Sequence, residues 1–117
     1  MQPDTPPPIY TVAVELVGWT LDRTSALPKS QRFTFGQRLD NLTLDALLLI
    51  VRARFAQRAS KPELLRDLNL LLEQLRVLWR LTHQRRWISQ QQLVFANAQL
   101  DEIGRMCGGW LQSVAPK

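Results

Sequence analysis

The sequence contains one cysteine and one histidine, and both shortages restrict the chemistry open to the chain. Cys107 has no second cysteine with which to form a disulfide within the chain, and His83 alone gives no set of ligands with zinc spacing. We therefore expect neither a metal nor another cofactor. A lone thiol is typical of a reducing compartment. The N-terminal residues have no signal-peptide pattern. The longest apolar run, 46–51, falls far short of the roughly 20 residues that span a bilayer. These features favour a cytoplasmic protein.

The sequence also lacks a recognisable set of catalytic residues. Asp101 and Glu102 are adjacent, so they point to different sides of a helix and do not form a carboxylate pair. Cys107 falls on an apolar helix face, where a thiol packs as a small hydrophobic group. His83 stands alone near the end of a helix. No glycine-rich loop that cradles phosphates is present. We therefore predict that the protein is not an enzyme.

Lysine is scarce as well, and the positive charge of the chain comes from arginine. Only three lysines accompany twelve arginines, and the formal net charge is +5. The excess of positive charge is concentrated between Arg52 and Arg86, a segment that contains nine basic residues and three acidic ones. Because the guanidinium fork matches phosphate and carboxylate geometry, this distribution indicates a nucleic-acid or an acidic protein partner. A solvated face without an electrostatic partner is the remaining interpretation.

The 117 residues are enough for one domain with its own core. We predict a proline-rich tail at 1–8 and, at 9–117, an all-α domain folded as an antiparallel up-down four-helix bundle. The helices are expected at about 9–25, 34–58, 60–83 and 89–114. The first helix is the least regular, because apolar residues alternate with others in its TVAVELV stretch, as they do in a β-strand. The last three begin with possible capping boxes. These pairs are Thr34 with Gln37, Ser60 with Glu63, and Ser89 with Gln92.

The second and third helices each carry two apolar faces. The fourth helix has a single apolar stripe, formed by Leu93, Ala96, Leu100, Ile103, Cys107, Leu111 and Val114. In the second and third helices, placed at 100° per residue, one face forms such a core stripe. In the third helix it consists of Leu64, Leu68, Leu71, Leu75, Leu78 and Trp79. The opposite faces carry seven further apolar residues. These are Leu44, Leu48, Val51 and Phe55 in the second helix, and Leu70, Val77 and Leu81 in the third. Monomers rarely expose so large a patch, so we predict that another subunit covers these residues in a homo-oligomer. Alternatively, the helices splay and wrap so that both stripes are internal.

Basic and aromatic residues near the end of the third helix are candidates for partner binding. Arg76, Arg80 and His83 fall within about 60° of one another on a helical projection, and Trp87 would extend this ridge. Such a ridge suits phosphate contacts, with an aromatic ring for stacking on an unpaired base. The candidates for nucleic-acid or polymerase binding are Arg54, Arg58, Arg76, Arg80, His83, Arg85, Arg86 and Trp87.

Three segments together resemble the accessory variability determinant (Avd) proteins of diversity-generating retroelements. The segments are LPKSQRFTFGQRL (27–39), LRVLWRL (75–81) and IGRMCGGWL (103–111). The Avd proteins belong to a group of small four-helix bundles that also includes the protein encoded in intervening sequences of bacterial 23S ribosomal RNA genes. The resemblance extends over nearly the whole chain after residue 9.

The resemblance implies a non-catalytic accessory protein that assembles into a barrel-like homopentamer. It further implies that the barrel binds the reverse transcriptase and the template RNA of the retroelement and supports mutagenic cDNA synthesis. PKSQRF (28–33) and Gly36 resemble the family's entry to the second helix. Later landmarks of the family are matched by Arg76 and by the set Gly104, Arg105, Gly108, Gly109 and Trp110. The resemblance gives all of these residues a mostly architectural role. Two alternatives remain, namely an RNA-associated bundle of the 23S intervening-sequence type and a scaffold that binds only proteins.

Overall fold

The structure is a computed structural model that describes residues 7–115, and these residues form helices and no β-strand. Helix α1 spans Pro8–Ser25. A second helical segment consists of α2 (Lys29–Gln31), a π-helical turn (Arg32–Gly36) and α3 (Gln37–Phe55). A 3₁₀ turn (Arg58–Ser60) leads into α4 (Lys61–Gln84), and α5 (Gln90–Val114) follows. The prediction of an all-α bundle is confirmed, and the TVAVELV stretch is helical. Residues 1–6 of the predicted tail lie outside the described residues, and Pro8 already begins α1.

Neighbouring helices of the bundle run antiparallel. Helix α1 packs against α3 and α5, and α4 packs against the same two helices from the other side. The Thr24 hydroxyl donates a hydrogen bond to Asp40 at 2.7 Å, and the Cys107 thiol donates to the Leu65 carbonyl at 3.3 Å. The molecule measures 47 × 27 × 24 Å. It therefore has two well-separated ends. The π-turn end is formed by residues 22–40 and 80–90, and the opposite end by the α3–α4 junction with the last turn of α5.

One of the three predicted capping boxes forms. At the start of α5, the Ser89 hydroxyl accepts from the Gln92 backbone N–H at 3.1 Å, and the Gln92 side chain accepts from the Ser89 N–H at 2.8 Å. The prediction for Ser60 is wrong, because its backbone is already helical, continuing the 3₁₀ turn into α4. The prediction for Thr34 is also wrong, because the helical segment starts earlier, at Lys29, and Thr34 lies inside the π turn.

Helix α4 ends in a Schellman motif that has an arginine where glycine is usual. The backbone N–H of Trp87 donates to Thr82 at 3.1 Å and that of Arg86 donates to His83 at 2.9 Å, which is the bonding pattern of this helix end. The motif requires a left-handed residue, and Arg86 supplies it with φ = 62°. A side chain with a Cβ adopts this conformation at a cost of about 1 kcal/mol or more. Arg86 is thus held in a strained position.

The core follows the predicted stripes with a small rotation in α4. The sequence stripe placed Leu64 and Leu78 in the core, but both are only partly buried, whereas Leu65 and Leu72 are fully buried. In the stripe of α5, Ala96, Leu100, Ile103, Cys107 and Val114 are buried, whereas Leu93 and Leu111 are only partly buried. Trp79 lies at the centre of the bundle and meets Trp19 of α1 with ring centroids 5.0 Å apart.

Two glycines of α5 have different surroundings and predict different responses to alanine. A Cβ at Gly104 would lie 3.3 Å from the Arg76 guanidinium, whereas a Cβ at Gly108 would meet nothing within 4 Å. Alanine is favoured over glycine inside a helix by about 1 kcal/mol. We expect Gly108→Ala to raise the free energy of unfolding by about that amount and Gly104→Ala to raise it less, as measured by urea denaturation. Equal gains for the two variants would contradict the close approach of α4 at Gly104.

Burial makes Cys107 unreactive and links its ionisation to stability. Burial raises the pKa of the Cys107 thiol to about 11 from 9.0. We expect iodoacetamide at pH 8 to label the folded protein far more slowly than the protein in urea. Between pH 9 and 11 the unfolded chain loses the thiol proton while the folded chain keeps it, so the free energy of unfolding should fall as pH rises through this window. Rapid labelling of the folded protein would contradict the buried position.

Candidate nucleic-acid and subunit interfaces

Most of the second apolar stripe is exposed on the outer side of α3 and α4. Val51 is partly buried, and the other six candidates are exposed. We refer to these six as the α3–α4 face: Leu44, Leu48, Phe55, Leu70, Val77 and Leu81. Leu48 and Leu70 line the two sides of a groove of about 540 Å³ between the helices, and Val77 lines a second groove with Leu42. The alternative in which both stripes become internal within one chain is therefore wrong.

A smaller group of apolar residues is exposed on α1 and α5, on the other side of the bundle. Val14 and Leu21 lie seven residues apart on α1, and Val94 and Phe95 lie at the start of α5. Phe95 also packs on Trp19, with ring centroids 5.1 Å apart. The sequence pattern indicates no role for these residues.

The basic candidates of the sequence do not form one site, because two of them lie at the opposite end. Arg54 has its guanidinium 5.2 Å from the centre of the Phe55 ring. Arg58 donates to the Ser113 carbonyl of α5 at 2.8 Å. The neighbouring Lys61 donates to the carbonyls of Ala53 and Arg54 at 2.6 and 3.1 Å. Arg58 and Lys61 thus satisfy carbonyl groups at helix C-termini, where positive charge is favourable.

Arg76 lies between α4 and α5 rather than on a free ridge. Its guanidinium forms ion pairs with Glu73 of the same helix and Asp101 of α5, and it approaches the Leu100 carbonyl at 3.4 Å. Its side chain is 23% exposed. The sequence interpretation grouped Arg76 with Arg80 as a partner-binding ridge. The structure separates them, because two carboxylates already neutralise Arg76.

The other candidates come together at the π-turn end. Arg80, Arg85 and Arg86 are exposed, and His83 is half-buried. Trp87 does not continue the helix. It lies in the turn after α4 and packs against Phe35 of the π turn, with ring centroids 5.5 Å apart, while the Arg85 guanidinium lies 5.4 Å from its ring centre. The two segments of this end, 22–40 and 80–90, contain seven arginines or lysines and two aspartates.

Among residues 7–115, no arginine at the π-turn end forms an ion pair. The pairs in this part of the chain join Arg76 to Glu73 and Asp101, and Arg105 to Glu102. Of the two aspartates near the π-turn end, Asp40 accepts from the Thr24 hydroxyl. The exposed guanidinium groups of this end therefore remain available to a partner, and they lie on the same end of the bundle as the rings of Phe35 and Trp87.

Phe33 is not among the binding candidates of the sequence, where the resemblance gives its segment an architectural role, but it is 80% exposed in the π turn. Phe33 and Phe35 are two residues apart, so they cannot both lie on one helical face. That spacing was the available signal. The π turn points Phe35 toward Trp87 and leaves Phe33 in solvent.

Residues 7–115 contain neither a cluster of metal-ligating side chains nor a helix that could span a membrane. No three histidine, cysteine, aspartate or glutamate side chains lie close enough together to hold a metal ion. No helix in this part of the chain is both long and apolar enough to cross a bilayer.

Comparison with known proteins identifies the class to which this bundle belongs. The model of the bAvd-like family matches residues 11–114, which is nearly the whole described chain. The protein belongs to the bAvd-like family, an accessory and non-catalytic type of protein. No curated protein matches the chain significantly.

Proposed function

We propose that this chain is an accessory protein of a diversity-generating retroelement that binds the reverse transcriptase and template RNA and supports mutagenic cDNA synthesis. The observation that carries the RNA part is the π-turn end, where Arg80, Arg85 and Arg86 are exposed and, among residues 7–115, take part in no ion pair. Guanidinium groups in this state are suited to phosphate contacts, because no internal carboxylate competes for them.

The strained backbone of Arg86 supports a binding role for this end. Glycine would adopt φ = 62° without strain, so an arginine here lowers stability while placing a charge at the tip of the bundle. Strained residues occur preferentially at functional sites. The opposite end favours such a role less, because Arg58 and Lys61 are engaged with backbone carbonyls there.

We also propose that the protein works as a homo-oligomer, as a pentameric barrel by its resemblance to the Avd proteins. The α3–α4 face supports assembly, because it exposes six large apolar side chains across two neighbouring helices. In a cyclic pentamer each contact joins two different surfaces of the subunit. The α3–α4 face of one subunit would then meet another surface of the next, and the bundle ends would remain open to RNA and polymerase.

RNA binding at two salt concentrations tests the first part of this proposal. Binding dominated by phosphate contacts weakens steeply with salt, with a slope of log K against log salt of about −0.7 per neutralised phosphate on single strands. We expect fluorescence anisotropy with the template RNA to show tight binding at low salt and a steep loss at higher salt. Absence of binding at low salt would remove the RNA part of the function.

Co-purification with the reverse transcriptase tests the second part. We expect a tagged protein to retain the polymerase encoded beside it, with and without nuclease treatment. A gene located inside a 23S ribosomal RNA gene, with no reverse transcriptase or repeat pair nearby, would instead favour the ribosomal alternative. Retention of the polymerase without any RNA binding would favour the protein-only scaffold.

A further inference from the structure

Phe33 has the highest exposure of any large apolar side chain among residues 7–115, at 80%. It lies at the π-turn end, away from the outward faces of α3 and α4 that carry most of the apolar stripe. The charged residues closest to it in the chain are Lys29, Arg32 and Arg38, and the segment 23–39 contains no acidic residue. Phe33 is thus an exposed aromatic ring in a segment whose charged side chains are all positive.

The backbone that carries Phe33 is fixed on both sides. The Arg32 side chain donates to the Leu27 carbonyl at 3.0 Å. Leu27 is itself buried, and a Cβ at Gly36 would lie 3.1 Å from its side chain. On the other side Phe35 packs on Trp87. A ring on so rigid a support loses little conformational entropy when it binds, and single π turns are frequent at functional sites.

Trp87 is less suited to stacking than Phe33. Its ring is half-buried, with Phe35 against it and the Arg85 guanidinium 5.4 Å from its centre. Both neighbours occupy surface that a base would need. Phe33 has no ring or cation contact of this kind among the described residues, and its surface is open.

We infer that Phe33 stacks on an unpaired base of single-stranded RNA while the arginines around it contact the adjacent phosphates. This inference rests on the proposed RNA-binding function and assigns it a position. A nucleotide offers a flat ring beside a negative charge, which matches an exposed phenylalanine among guanidinium groups. An apolar protein pocket closing over Phe33 would instead remove water from those guanidinium groups without pairing them, which is costly.

The test compares Phe33→Ala with Thr34→Ala. Thr34 is a matched control because it is exposed in the same π turn and carries no aromatic ring, and it lies outside the α3–α4 face. Binding of a fluorescein-labelled oligouridine and of a duplex RNA is measured by anisotropy at low salt. We expect Phe33→Ala to weaken oligouridine binding roughly 5- to 100-fold, to leave duplex binding and the salt slope unchanged, and to leave the thermal melt near that of the parent. Thr34→Ala should change none of these, and Phe33→Trp should restore oligouridine binding.

The possible outcomes separate this inference from the proposed function. Unchanged oligouridine binding by Phe33→Ala would overturn the stacking role while leaving the RNA proposal in place. Equal losses on oligouridine and duplex would also overturn it, since they indicate a general effect on the binding surface. Loss of polymerase retention with normal RNA binding would assign Phe33 to a protein contact instead. Failure of the parent protein to bind either RNA at low salt would overturn both proposals.

Discussion

Val77→Glu is expected to convert the assembled protein into folded monomers. Val77 is 58% exposed and belongs to the α3–α4 face. A contact that covers this face would force the new carboxylate out of water beside apolar groups, at a cost of several kcal/mol per subunit. In an isolated bundle the same side chain remains in solvent, so the free energy of unfolding should change by no more than about 0.5 kcal/mol. Light scattering after size-exclusion chromatography gives the mass, and circular dichroism checks the fold.

Two further variants define the contact. Phe33→Glu removes a larger and more exposed apolar group from the π-turn end and should leave the oligomer intact. Val94→Glu alters α5 at a valine that is 57% exposed, a close match to Val77. If Val94→Glu also dissociates the oligomer, α1 and α5 form the surface that the α3–α4 face meets. A monomeric parent protein at micromolar concentration would contradict the assembly itself.

The double variant Arg85→Gln with Arg86→Gly is expected to bind RNA more weakly while being no less stable. Removing two phosphate contacts per subunit should reduce the steepness of log K against log salt by about 1.4 for single-stranded RNA. Glycine at position 86 relieves the left-handed strain of the Schellman motif, which should stabilise the fold by about 1 kcal/mol. Opposite effects on binding and stability would show that lost affinity does not come from lost structure.

Arg52→Gln with Arg66→Gln is the charge-matched control for this experiment. Both arginines are exposed on α3 and α4, away from the π-turn end. Because Arg52 lines the groove beside Leu48 and Leu70, light scattering must first show that the control assembles like the parent protein. The control removes the same charge, so a general electrostatic effect would lower RNA affinity equally in both double variants. Equal salt slopes for the two variants would contradict the assignment of phosphate contacts to the π-turn end.

The helices and the two apolar faces followed from sequence periodicity because both depend on local spacing. Leu44, Leu48, Leu70 and Val77 were assigned to an outward face, and all four are exposed. The capping box at Ser89 was also predictable, since both partners lie within one turn. The boxes at Thr34 and Ser60 had equally suitable sequences. They failed because the preceding residues were already helical, which left no extended residue to act as a cap.

The candidate binding site was less predictable because it depends on contacts between distant segments. Nothing in the spacing of Arg76 and Arg80 indicated that Asp101, on another helix, would pair with only the first of them. The π turn was likewise hidden, since it brings Phe35 against Trp87 across 52 positions of sequence and leaves Phe33 exposed. Helical projection treats each segment as regular and isolated, so it misses both effects.

The π turn also adds one residue to this segment without turning the helices that flank it. A π turn accommodates one residue more than regular α-helical geometry, so deleting a single residue from 32–35 would let α2 and α3 merge into one continuous α-helix. Because the wide turn already absorbs the extra residue, the parts of the chain before and after it would keep nearly the same relative orientation, and Leu27 would stay beside Gly36. The residues inside the turn would take new directions, so Phe33 and Phe35 would lose their present positions. A deletion of one residue should therefore spare the packing of α1 on α3 and disturb the aromatic residues of the π-turn end.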